Sequence, residues 1–361
     1  MPVSALDVIS PAIEHCKQQL FRPFRLGQWT RLAFVGLLAG ELGSGGSCSF
    51  QVPPIPHQSQ GSDHFLSSAF SISGMAAGEL AVLITLLVVG ALVIFTGLLY
   101  LNSMMRFVLF DSVVTRECRI LQSWARRTRP GFRYFLWQIA FILIAWLILC
   151  VFVGIPIVMA IGFEWFKYPS QHTVGLILGG ITLFFFLLGY FLVTLTVAVM
   201  TKDFVVPQMA LENIGAVEAW RNLLNMMKAE KWSYAGYIGV KVVLAIAAGI
   251  LVGIVSIIAV LILGIPFGGM AAIAILAGEA AGVGWNIVTI GVAVTVGLIL
   301  LAIILYLVCL ISVPVVVFFP AYALYFFAAR YARLRDVLYL PVIPSQPLPP
   351  PLFPQSPGTV G

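Results

Sequence analysis

From Leu176 to Met200 no residue carries a charge, and apolar runs of this length recur along the chain. A helix needs about 20 apolar residues to cross about 30 Å of hydrocarbon. No water is available there, so every backbone N–H and C=O needs a partner inside the protein. Only helices and closed barrels meet that demand. Barrel strands alternate polar and apolar residues, whereas these runs are apolar on all sides. The sequence therefore predicts an all-α fold, a polytopic transmembrane helical bundle. Charged residues make up 9% of the chain, against roughly 25% in soluble domains, so no nucleic-acid partner is expected.

Six spans are expected, at about 29–42, 80–101, 135–163, 176–200, 234–263 and 287–313. Residues 1–28 form an amphipathic N-terminal segment, 29–335 the transmembrane domain, and 336–361 a disordered proline-rich tail. In the first segment Leu6, Ile9, Ile13, Cys16 and Leu20 share one helical face, and Ser4 with Asp7 forms a candidate capping box. Residues 43–75 are rich in Gly, Ser, Pro and Gln and read as an external loop. Residues 264–285 read either as a re-entrant stretch or as a helix extension.

The basic residues orient this set. Of 20 Lys and Arg, only Lys167 falls on the side that also carries Glu41, Asp63, Glu79, Glu164 and Glu279. Positive residues stay on the cytoplasmic side, so both termini are expected in the cytoplasm and the chain in the cytoplasmic membrane.

An amphipathic helix, a Trp and a two-span hairpin recur three times. Trp29 follows Cys16, Trp137 follows Trp124, and Trp232 follows Trp220, at spacings of twelve or thirteen residues. This reads either as a triplicated helix–hairpin repeat or as the ordinary gathering of Trp at membrane interfaces, with Trp29, Trp124, Trp137, Trp220 and Trp232 as anchors. In the third copy Ala216, Trp220, Leu223 and Met227 form one face, the pattern of a helix lying in the headgroup plane. Arg116, Arg119, Arg126 and Arg127 are read as sharing one side. They are candidates for binding lipid headgroups in an anionic leaflet, or they only set topology. Gly249 and Gly253 form a Gly-x-x-x-Gly face that lets helices approach closely.

Signs of catalysis are missing. No nucleotide-binding, zincin or nucleophile-elbow pattern occurs, and no cofactor or metal is expected. His57, His64 and Asp63 sit in flexible context on the outer side. The spans carry almost no ionisable residues, which disfavours coupled transport; Lys241 is read as reaching back to the inner interface. The five cysteines suggest no disulfide framework.

The segment Phe24-Arg25-Leu26-Gly27-Gln28-Trp29, the Ala219-Trp220 pair and the Phe-x-x-Pro of Phe204-Val205-Val206-Pro207 resemble the membrane domain attached to some bacterial glycerophosphodiester phosphodiesterases, and related stand-alone membrane proteins. The resemblance covers about residues 5–335. The catalytic partner in that family is a TIM barrel, for which this chain has no room, so hydrolase activity is not implied. The expected function is a non-catalytic membrane component that engages anionic or glycerol-based lipids or scaffolds a membrane or cytoplasmic protein partner. The alternative is a passive or lipid transporter, which would show a continuous cavity. An intramembrane enzyme would need a polar cluster converging at one depth.

Overall fold

The computed structural model describes residues 4–22, 24–41, 77–163, 165, 173–280 and 287–339. Cys48, the histidines at 57, 64 and 172, the 43–75 loop and the chain beyond Tyr339 lie outside the described residues. The described elements are all helical: α1 (Ile9–Phe21), α2 (Leu26–Leu38), α3 (Ala77–Thr115), α4 (Ile120–Leu149), α5 (Ile155–Gly162), α6 (Thr173–Met200), α7 (Val206–Glu212), α8 (Ala216–Ala229), α9 (Lys231–Ala280), α10 (Ile287–Ala328) and α11 (Ala332–Leu338). Ser4 donates its N–H to Asp7 and its Oγ accepts from Leu6, which closes a turn ahead of the helix; α1 itself starts after Val8 with no side-chain cap, so the expected capping box does not cap it.

Five helical stretches are long and apolar enough to cross a membrane: Ala81–Thr115, Ile120–Gly162, Thr173–Glu212, Lys231–Ala271 and Thr289–Ala328. They correspond to the last five expected spans, and α9 continues as helix to Ala280 instead of re-entering. The first expected span, 29–42, differs. Helix α2 has 13 residues, about 20 Å at 1.5 Å per residue, which is short of a crossing. It stops at Gly40, whose φ is +71°. The Gly40 and Glu41 N–H groups return to the carbonyls of Leu37 and Gly36, a Schellman closure that consumes the orphan carbonyls of the last turn.

Two π turns interrupt the long helices, Cys150–Gly154 and Thr201–Val205. Each is followed within two residues by a proline, Pro156 or Pro207. A proline lacks the N–H that an α-helix needs and crowds the preceding turn; a one-residue π insertion relieves this without ending the helix.

The molecule has two unlike halves. One end is densely packed, with buried Leu20, Leu32, Phe107, Phe204, Leu223, Tyr237, Phe326 and Phe327 among its core. Here α3, α7 and α10 arrive and α4 and α9 depart. Helix α1 lies across this end, with the Tyr325 hydroxyl on His15 and the Tyr322 hydroxyl on the Ala5 carbonyl. Helix α11 packs at the same end, where Arg333 pairs with Glu212, so the first and last helices share one side. Beyond the packed end the long helices expose most of their large apolar side chains, as at Leu86, Leu92, Ile144, Phe184, Leu251 and Leu298. Side chains of this kind are stable outside the core only in lipid.

Candidate functional site

The last turn of an α-helix leaves carbonyls without partners. At the end of α3, side chains from α1 and α2 supply them. His15 Nε2 donates to Val113 O at 3.0 Å, Gln19 Nε2 to Ser112 O at 2.9 Å, and Gln28 Nε2 to Arg116 O at 2.9 Å. His15 Nδ1 then accepts from the Tyr325 hydroxyl at 3.2 Å, which fixes a neutral tautomer. Burial first, and the nearby Arg116 charge second, hold this imidazole below its ordinary range. These contacts explain why the buried face of α1 is Ala12, His15, Cys16, Gln19 and Leu20. The face read from apolar spacing is rotated: Leu6 and Ile13 are exposed.

The same join forms a polar crevice of about 380 Å³, lined by Gln18, Gln19, Arg22, Arg25, Gln28, Thr115, Arg116 and Glu117. Arg116 adopts φ +58°, a left-handed conformation that costs a non-glycine residue about 1 kcal/mol or more. Its guanidinium is tied to Gln18 at 3.0 Å. Glu117 is already engaged by Arg119 at 2.9 Å. Arg22 and Arg25 are exposed, and among the described residues neither has an anionic partner. Phe21, Phe24 and Leu26 stand exposed beside them. These two guanidinium groups thus border a concave polar surface next to apolar side chains that favour lipid.

A second polar feature lies deeper. Arg106, Asp203 and Lys241 each sit about nine or ten residues from the packed ends of their helices, or about 14 Å. Lys202 pairs with Glu41, and Lys241 pairs with Asp203. The Tyr237 hydroxyl donates to Asp203 at 2.9 Å. Arg106 donates to the Tyr134 hydroxyl at 2.9 Å. The Schellman stop of α2 delivers Glu41, and the π turn ahead of Pro207 delivers Lys202 and Asp203. The spans therefore do hold an ionisable cluster, contrary to the sequence reading. Glu41 is not an outer-loop residue, and Lys241 is committed to a buried ion pair instead of reaching toward the interface. Three helices that run toward the packed end line the small cavity at this level in similar fashion, with Leu109 and Phe110, Val206 and Pro207, and Ala323 and Leu324.

The residues singled out by sequence are dispersed. Arg116, Arg119 and Arg126 are exposed. Arg127 instead points inward, bridging both Asp111 carboxylate oxygens at 2.8 and 3.1 Å and donating to Ala210 O. Arg116 and Arg119 precede the first residue of α4, so the four arginines do not form one helical face. Trp220 stacks on Trp137 with ring centroids 6.4 Å apart, and Ala216, Ala219 and Leu223 of α8 are buried. The apolar face of α8 therefore meets protein, not lipid, because the core offers it aromatic surface. Trp29 donates to Leu20 O and Trp124 contacts Tyr100 edge to face. Trp232 is 89% exposed. Gly249 is half-buried, and among the described residues a Cβ at Gly253 would meet nothing within 4 Å. Among the described residues no group of three His, Cys, Asp or Glu could hold a metal ion.

Five long apolar helices projecting from a packed end define a multi-pass α-helical membrane protein. The chain belongs to the family described as "Family of unknown function (DUF7544)", whose model matches residues 3–337. Nothing among curated proteins or solved structures matches it.

Proposed function

We propose that this chain is a non-catalytic component of the cytoplasmic membrane, with both termini on the inner side, that holds the phosphate of an anionic glycerol-based lipid in the crevice between α1, α2 and the end of α3. The observation that carries this reading is the pair Arg22 and Arg25, without an anionic partner among the described residues, beside Arg116 and flanked by exposed Phe21, Phe24 and Leu26. Guanidinium groups bind phosphate oxygens in a planar fork, and the neighbouring aromatic and aliphatic side chains suit the glycerol and upper acyl region. The resemblance noted in Phe24 to Trp29 bears on this site, because Arg25 and Gln28 line it; it supports glycerol-based lipids as the ligand class. Arg116, Arg119 and Arg126 add attraction for an anionic leaflet.

Each basic residue near such a leaflet contributes about 1 kcal/mol. Replacing both Arg22 and Arg25 with Gln should then lower retention of phosphatidylglycerol or cardiolipin about thirtyfold after mild detergent extraction. Arg126→Gln should lower it far less. Equal retention by the double variant and the parent rejects the site. Transport is the second reading, supported by the charged cluster. Against it, the crevice and the inner cavity share no lining residue, so among the described residues these two do not join into one pathway.

A further inference from the structure

The deeper cluster carries an imbalance that its pairings do not remove. Among the described residues it contains three cations, Arg106, Lys202 and Lys241, and two anions, Glu41 and Asp203. Each carboxylate is matched by a lysine. The Glu41 and Asp203 charges also act on Arg106 from further off, but the sum leaves one positive charge over. The hydrogen-bonding partner of Arg106 is the neutral Tyr134 hydroxyl, and its Nε is shielded from solvent with no partner at all. A net positive charge buried in a low-dielectric interior is costly. Beside it lies a cavity of about 40 Å³, lined by Arg106, Glu41, Lys202 and Asp203 together with Leu109, Phe110, Pro207 and Pro320 among others. A water needs roughly 10–15 Å³ of such space, so the cavity takes about one to three water-sized species. It is too small for a lipid phosphate or an organic substrate.

We propose that this cavity binds one small monovalent inorganic anion of the halide class, held by Arg106 and Lys202, which neutralises the excess charge and ties α2, α3 and the Thr201–Val205 turn together. The two carboxylates repel an anion, so the site favours a single weakly hydrated charge over a divalent one. This site is separate from the lipid crevice and does not rest on it.

The test uses the purified full chain in mild detergent at constant ionic strength. Replacing gluconate by chloride or bromide should raise the melting temperature by a few degrees across a hundredfold concentration range, as expected for a ligand that binds only the folded state. The chlorine NMR line of the unaltered protein should broaden and be narrowed again by bromide. Arg106→Gln should abolish both effects, whereas the Arg22→Gln, Arg25→Gln double variant should keep them. Identical melting in chloride and gluconate, with no broadening by the unaltered protein, overturns the proposal. So does equal stabilisation by sulfate, or loss of the effect in the crevice variant. Because the NMR measurement needs no variant, a failure of Arg106→Gln to fold leaves the proposal testable.

Discussion

His15 links several elements through one ring: it belongs to α1, donates to the end of α3 and accepts from α10. Its folded pKa lies below the free value of 6.5. The unfolded chain therefore takes up a proton below about pH 6.5 that the folded chain refuses, so stability falls as pH drops from there toward the folded pKa. Above that range His15 contributes no slope. Melting in detergent between about pH 8 and pH 5 should show the decline, and His15→Gln should flatten it, because an amide can still donate to Val113 O and accept from Tyr325. A variant with an unchanged slope would remove His15 as the cause. The buried Arg127–Asp111 pair shows the opposite logic. Two desolvated charges hold each other, and removing either alone leaves an uncompensated one, typically at a cost of about 3–5 kcal/mol.

Among the elements, α2 decides how the packed end closes. A Cβ at Gly36 would lie 2.6 Å from Val316 Cγ1, and Val is stiff at χ1. Gly36→Ala should cost about 1–3 kcal/mol by overpacking, with much of it recovered by adding Val316→Ala. Gly27→Ala in the same helix should cost nothing, since a Cβ there meets nothing within 4 Å. Equal melting of the Gly36 and Gly27 variants would show that α2 is not tightly docked. The apolar lengths of the other five spans were legible in the sequence, because hydropathy depends only on neighbours in the chain. The stop of α2 was also written there, in Gly40 followed by a charged residue after thirteen helical positions. What could not be read was the partnership of Glu41 with Lys202. The two are 161 positions apart and each looks like an ordinary flank of a span. The crevice was half visible: the arginines of the basic loop stood out, but Arg22 and Arg25 gain meaning only when α1 and α2 close on the end of α3. Likewise Trp220 looked like a lipid anchor until Trp137 arrived beside it.

For the whole molecule, the packed end and the lipid-facing half answer to different solvents. The topology proposal needs a thiol that can react, and the native ones at this end cannot serve. Cys16 and Cys118 are buried; burial pushes the Cys16 thiol up to about 11 and raises Cys118 as well. At neutral pH only about one Cys16 in ten thousand is then a thiolate. Thr128→Cys, exposed in α4, should react with an impermeant reagent only after the cells are permeabilised. Labelling in intact cells would place the packed end outside. The π turn at Thr201–Val205 has a consequence for how this chain tolerates change. The turn already takes up one extra residue without ending the helix, whereas removing one residue from the regular helix just ahead of it would rotate everything on its far side by about 100° about the axis. The lipid-facing half of α6 is apolar all round and has no preferred azimuth, so lipid would accept the rotation. Lys202 and Asp203 do have a preferred azimuth. A single deletion there should leave a helix that inserts normally but is out of phase with its own charges.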